Sequence, residues 1–190
     1  MSNLNSMRPD ICVTKTNNKT NKTKWFSANQ DYDELYKEIA EFVGKPDNTD
    51  FQIIAMDDFG KWEPTKSQSH DLHLIAGVGQ AIAKYGYAFS VYITDIEKIT
   101  EWDDKIVENF ESAFFGEFTS MAEFTDAYLD VYCLENLDQP FLLGTLANYL
   151  DYEDIQIDLE NQYQVIKVYS PVPELDGISV LSAIYVFGDE

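Results

Sequence analysis

Residues 119–132 read TSMAEFTDAYLDVY, and their spacing specifies a helix with two unlike faces. Ser120 followed by Glu123 is a capping-box pattern, in which a hydroxyl and a carboxylate satisfy orphan backbone N–H groups at a helix start. Met121, Phe124, Tyr128 and Val131 recur at intervals of three and four residues and form one apolar stripe. Glu123, Asp126 and Asp130 share another face, their Cβ atoms roughly 5–6 Å apart in a row. Such a helix must bury one side against a partner element while keeping the other side uniformly negative.

Working upstream, residues 95–115 carry a helical pattern that Gly116 is expected to end. FSVYIT (89–94) is rich in β-branched and aromatic residues and fits a strand or a buried helix equally well. Leu72, Ile75, Ala76, Gly79, Ile82 and Ala83 lie at helical spacing, weakened by two interior glycines. FQIIAMDDF (51–59) reads as a strand entering an acidic turn. Before it, Asp31 and Glu34 open a helix striped by Tyr32, Leu35, Tyr36, Ile39, Phe42 and Val43, and Gly44-Lys45-Pro46 closes it. ICVT (11–14) and KWF (24–26), joined by the polar KTNNKTNK, give a hairpin signal.

Downstream, ENLDQP (135–140) is a break. LLGTLANYLDYEDIQIDLE (142–160) holds one helix and its exit, and QYQVIKVYS and ISVLSAIYVF read as closing strands. The expected fold is α+β. Its expected divisions are a polar tail (1–10), a hairpin, helix and strand domain (11–67), a mainly helical central domain (68–106) and an acidic α+β domain (107–190).

The composition requires a folded core: 45% of the 190 residues are hydrophobic and 14% aromatic, too many for a disordered acidic chain. The formal charge of −21 is unevenly placed. Residues 1–100 hold 11 Lys/Arg and 14 Asp/Glu, whereas residues 101–190 hold only Lys105 and Lys167 against 20 acids. Such a field repels nucleic acid and anionic membranes and favours a basic partner. Cys12 and Cys133 lack CxxC spacing and are expected to be reduced thiols. No apolar run approaches the roughly 20 residues that cross a bilayer, and MSNLNSMRPD lacks the apolar core of a signal peptide. A cytoplasmic protein is expected, leaving the sequons Asn18-Lys19-Thr20 and Asn21-Lys22-Thr23 without a role.

Catalytic patterns are weak. His70 and His73, the two histidines, are three residues apart without HExxH or cysteine context, and read more simply as surface groups near a helix start. Asp57-Asp58 and Asp103-Asp104 are possible carboxylate pairs for Mg²⁺ or acid–base work, but paired acids in turns are commonly caps. Gly77-Val78-Gly79 lacks the third glycine and the strand–loop–helix setting of a dinucleotide site. Lys15, Lys19, Lys22 and Lys24 read as a solvated hairpin loop. No catalytic group, cofactor or metal is expected.

The acids themselves carry the signal. Residues 101–160 contain 16 acids and one lysine. Solubility needs only mixed signs and a net charge of about 2–8 on a small domain. A duplex presents one negative charge per roughly 1.7 Å of axis, and carboxylate rows on rigid helices approximate that line. Composition therefore supports a DNA mimic beside a less specified acidic interaction protein.

Three ordered segments resemble the ArdA antirestriction proteins, DNA mimics carried by plasmids, transposons and phages. KWFSANQDYDELYKEI with DFQIIAMDDF is similar to that family's first domain. FESAFFGEFTSMAEFTDAYLDVY is similar to its aromatic, glycine-centred segment leading into an acidic helix. LANYLDYEDIQIDLE resembles its tyrosine–isoleucine–aspartate–tyrosine signature through Tyr149, Leu150, Asp151 and Tyr152, with Leu150 at the isoleucine position. Ile157-Asp158 departs from the arginine–aspartate pair that follows in the family, and 68–105 matches poorly.

The resemblance implies an elongated, non-enzymatic chain of three small domains that dimerises through the last and occupies the DNA groove of type I restriction–modification enzymes. Glu111, Glu117, Glu123, Asp126, Asp130, Asp151, Glu153, Asp154, Asp158 and Glu160 are the expected partner-binding carboxylates, with Asp151 the one most suited to a structural role. Three alternatives differ in partner or class. They are a mimic aimed at another DNA-binding defence complex such as a CRISPR effector, an acidic module for a basic protein unrelated to DNA, and a metal hydrolase using Asp57, Asp58, Asp103 and Asp104.

Overall fold

The polar stretch between ICVT and KWF joins an antiparallel hairpin, β1 (Asp10–Lys15) and β2 (Thr23–Ser27), in register through Ile11–Phe26 and Val13–Lys24. This is a computed structural model, and it describes residues 7–16, 22–44, 51–131, 150–171 and 179–188. The chain divides into two compact units, Met1–Phe110 and Glu111–Glu190. Residues 11–67 and 68–106, expected as separate segments, both lie in the first.

In the first unit β1 also pairs antiparallel with β3 (Phe51–Asp57), giving the order β2-β1-β3. Ile11, Val13, Phe26, Phe51 and Ile53 are buried. Helix α1 (Tyr32–Val43) buries Leu35, Ile39 and Val43, and its Phe42 meets Phe26 edge-on at 5.7 Å. Asp31 caps it by accepting from the Asp33 N–H, and Gly44 ends it in the left-handed region at φ 82°.

Helix α2 (Leu72–Tyr85) starts at Asp71, whose carboxylate accepts from the Leu74 N–H at 3.0 Å. Its two glycines are close-approach positions. A Cβ on Gly79 would lie 2.3 Å from the Ala28 carbonyl oxygen, and one on Gly77 would lie 2.2 Å from the Trp102 ring. Both glycines weaken the helical pattern in sequence, and in the fold they let the helix pack tightly.

FSVYIT is helical. Helix α3 (Tyr87–Val91) continues into a π turn over Tyr92–Ile96. Phe89, Ser90, Val91, Tyr92 and Ile93 are all buried, so no apolar–polar period marks the helix. Residues 95–115 do not form the single expected helix. The backbone leaves helical geometry after Glu97, Lys98 adopts φ 52°, and α4 begins only at Lys105 and ends at Ala113. Buried Gln68 fixes the interruption by donating to the Ile99 carbonyl at 3.0 Å, and Trp102 reaches Gly77 from it. Phe110 of α4 then joins Tyr85, Phe89 and Tyr92, with ring centroids 5.0, 5.2 and 5.4 Å away.

Among its described residues, the second unit has an antiparallel sheet with two helices against its core. Strand β4 (Phe114–Phe118) lies where sequence placed a helix end, so Gly116 sits within a strand instead of stopping a helix. With β5 (Gln164–Pro171) and β6 (Ser179–Phe187) it forms the order β4-β6-β5. Helix α5 (Met121–Leu129) contributes Phe124 and helix α6 (Tyr152–Gln162) contributes Leu159 to a core shared with Ile184 and Val186. Phe115, Phe118, Met121, Tyr128, Ile155, Tyr163 and Val165 pack around it. Burial of these aromatic and branched side chains, at about 1.5–3 kcal/mol each, opposes the electrostatic cost of the acidic exterior.

Candidate partner-binding surface

All ten expected carboxylates belong to the second unit and all are solvent-exposed. Residues 111–190 carry 16 acids against one lysine, Lys167, a formal charge of −15. Where a carboxylate stands on its element decides whether it serves the fold, a partner, or both.

Glu123 serves the fold. Ser120, extended at φ −158°, accepts from the Glu123 N–H at 3.2 Å. The Glu123 carboxylate accepts from the Thr119 hydroxyl at 2.6 Å and the Thr119 N–H at 2.7 Å. The box expected from Ser120 and Glu123 therefore forms one residue wider, with the return bonds on Thr119. Those two bonds, the hydroxyl's first, hold the Glu123 carboxyl below the usual carboxylate range.

Asp151 caps α6, accepting from the Glu153 N–H at 3.1 Å and the Asp154 N–H at 3.3 Å. This is the structural role expected for it between two tyrosines. Glu153 and Asp154 occupy the first turn, where the positive end of the helix dipole favours anions by about 0.3–1 kcal/mol. Three like charges thus concentrate where the backbone itself supplies the compensating partial charge.

Tyr152 links the two helices. Desolvation is the main force raising its phenol above the usual range, followed by the charge of Asp126, a hydrogen bond to Asp126 and the charge of Asp130. Asp126 of α5 and Asp130 just beyond its end therefore lie near Tyr152, the first residue of α6, which follows the Asp151 cap directly. Asp158 and Glu160 continue along α6, and Glu160 pairs with Lys167 at 2.6 Å. Glu111 and Glu117 stand apart from this pair, on α4 and β4.

Sequence reasoning missed Thr119, the Tyr152 hydroxyl and the Lys167 contact. The first is one residue outside the familiar pattern, and the other two cross between elements with no periodic signal.

Several of the weaker candidates make structural contacts. Asp58 accepts from the Arg8 N–H in a left-handed turn. Asp103 accepts from the Lys105 N–H at 3.0 Å at the start of α4, and Asp104 accepts from the Trp102 indole at 3.2 Å. His73 packs edge-on against Tyr32, ring centroids 5.6 Å apart. Lys24 lies 4.5 Å over the Phe26 ring, while Lys19 falls outside the described residues. Cys12 is a buried free thiol, and Cys133 is outside the described residues. Among the described residues no group of three or more His, Cys, Asp or Glu is arranged to hold a metal, and no helix is long and apolar enough to cross a membrane.

Compared with curated proteins and with solved structures, the chain finds no match in either. A family model described as antirestriction protein (ArdA) matches residues 12–172. That span takes in most of β1, all of β5 and every one of the ten carboxylates. The chain belongs to the ArdA antirestriction family.

Proposed function

We propose that the protein is a DNA mimic that inhibits type I restriction–modification enzymes by occupying their DNA-binding groove. The observation that carries this reading is the concentration of ten exposed carboxylates on a folded unit with a single lysine. The family's antirestriction function supplies the class of partner. In a groove lined with lysine and arginine for phosphates, rigid carboxylates gain charge-assisted contacts and displace the counterions of the free enzyme.

Inhibition is then competitive occupation by a cytoplasmic, non-catalytic protein acting as a homodimer through its C-terminal part, with no direct binding to nucleic acid. Helices α5 and α6, with the residues that cap them, carry most of the display. Glu123 and Asp151 contribute charge while also capping helices.

The deciding experiment adds the purified protein to a type I methyltransferase core holding a labelled duplex at low salt. Displacement of the duplex, relieved by excess DNA and weakened by added salt, is expected. A core that retains its duplex at saturating protein excludes the reading.

A further inference from the structure

The first unit holds an open cleft of about 820 Å³, lined by none of the ten carboxylates. It lies between the entry to α1, one face of α2 and the stretch that leads into α4. Its lining joins the half-buried rings of Tyr32, Tyr85 and Trp102 to the small, buried Ala76, Gly77 and Ala81. Gly77 admits the indole, whose ring atoms lie 2.2 Å from where a Cβ would stand. The Trp102 Nε1–H donates to the Asp104 carboxylate at 3.2 Å, which holds ring and charge side by side.

The charge of the lining selects a cation. Asp31, Glu34 and Asp104 stand against Lys84, three carboxylates to one ammonium. A capping box would return the Glu34 carboxylate to the Asp31 N–H. Instead Asp31 caps α1 through the Asp33 N–H, and among the described residues Glu34 has no hydrogen-bond or ion-pair partner. The cleft already seats one cation on a ring, with the Lys84 ammonium 4.5 Å from the Tyr85 centroid. Aromatic faces carry the negative side of the ring quadrupole, so they attract cations, tryptophan most strongly, and repel phosphates and carboxylates.

Arginine suits such walls better than lysine. Its planar guanidinium stacks on an indole, is more weakly hydrated than an ammonium and offers five N–H donors in a fixed fork to nearby carboxylates. DNA-reading grooves carry arginines for phosphates and guanine edges. We propose that the cleft is a second partner-binding site that receives one arginine side chain of the basic partner, stacked on Trp102 and hydrogen-bonded to Asp104 and Glu34. This rests on the DNA-mimic reading above and extends the contact to the first unit, where the sequence places no partner-binding residue.

The cleft can be read directly in the nitrogen-15-labelled full chain. The indole N–H signal of Trp102, assigned by its loss in Trp102→Phe, is followed as short blocked peptides are added that differ only in one residue: arginine, lysine or citrulline. Citrulline keeps the shape of arginine without its charge. The arginine peptide should move the Trp102 signal saturably, the lysine peptide should bind at least about threefold more weakly, and the citrulline peptide should leave it in place. Glu34→Gln should weaken the arginine peptide about threefold with an unchanged thermal transition. A Trp102 signal that does not move, or equal affinity for arginine and lysine that salt removes, overturns the site.

Competition against duplex DNA on a type I methyltransferase core ties the site to the partner. Glu34→Gln combined with Asp104→Asn should raise the concentration needed for displacement about tenfold. Asp33→Asn combined with Glu41→Gln removes the same charge from exposed positions of α1 outside the cleft, and should raise it by less than about threefold. Equal losses from the two pairs overturn the cleft contact and leave mimicry standing. A native chain that displaces no DNA yet binds the arginine peptide at Trp102 keeps the arginine site and removes mimicry.

Discussion

Tyr152, the first residue of α6, donates its hydroxyl to the carboxylate of Asp126 on α5, with Asp130 close enough to add its charge. Desolvation and the two carboxylates all disfavour the phenolate, so Tyr152 holds its proton more tightly than an ordinary tyrosine with a value of 10.0. The folded state favours the neutral phenol. The bond's contribution is therefore complete below about pH 10 and is lost as pH rises through the higher folded value. Subtracting the alkaline absorbance titration of Tyr152→Phe from that of the native chain should isolate a late-titrating tyrosine. Asp126→Asn should move that component back toward the ordinary value. A component at the ordinary value in the native chain would show that the helices do not meet there.

Glu123 works at the other end of α5 and responds to acid. Hydrogen bonds from Thr119 lower its carboxyl below the usual 4.5. A depressed folded value stabilises the fold above the unfolded value, and the effect disappears as pH falls through the folded one. Glu123→Gln should lower the urea midpoint at neutral pH, with the gap to the native chain closing under acid conditions. Thr119→Val should reproduce part of the loss by deleting the hydroxyl donor. An acid-independent gap would assign the residue to packing.

Asp151 combines a cap with a displayed charge, and two substitutions separate the roles. Asparagine caps helices about as well as aspartate, whereas alanine costs about 0.5–2 kcal/mol. Asp151→Ala should therefore lower unfolding free energy by about 1 kcal/mol, and Asp151→Asn by only a few tenths, in urea titration. Each removes one charge, so in competition with DNA the two should weaken binding by the same small factor. Unequal binding losses that track stability would mean that Asp151 acts only through the fold.

Much of this architecture is legible because the elements are half-exposed. The stripes of α1 and α5 and the hairpin of β1 and β2 contrast water with core at regular intervals, although Val131, expected on the α5 stripe, lies beyond the helix end and is exposed. FSVYIT offers no such contrast because it is surrounded, and Gly116 misleads because a five-residue strand of aromatics around a glycine is too short to show alternation. The Lys98–Trp102 interruption depends on Gln68 and Gly77, both distant in sequence. For the surface, composition locates the acids but not their grouping. That grouping is set by Tyr152 meeting Asp126 across two helices separated by more than twenty residues.

Charge spread over many carboxylates has a definite signature in binding. Single changes such as Asp154→Asn or Asp158→Asn should each weaken competition with DNA only slightly, because the remaining acids still hold the groove. Changing Glu153, Asp154, Asp158 and Asp130 together to neutral amides should reduce both affinity and its dependence on salt, since fewer ions are exchanged on binding. Reversing the same four to lysine should abolish competition. Lysines in the first turn of α6 also oppose the helix dipole, at about 0.3–1 kcal/mol each, so the amide set controls for stability. Raising salt from 0.1 to 1 M shortens the screening length from about 10 to about 3 Å, and the native chain should lose most of its affinity over that range. If the fourfold reversal binds with native affinity and native salt dependence, the carboxylates of α5 and α6 are a solvated exterior and the partner is held by another surface.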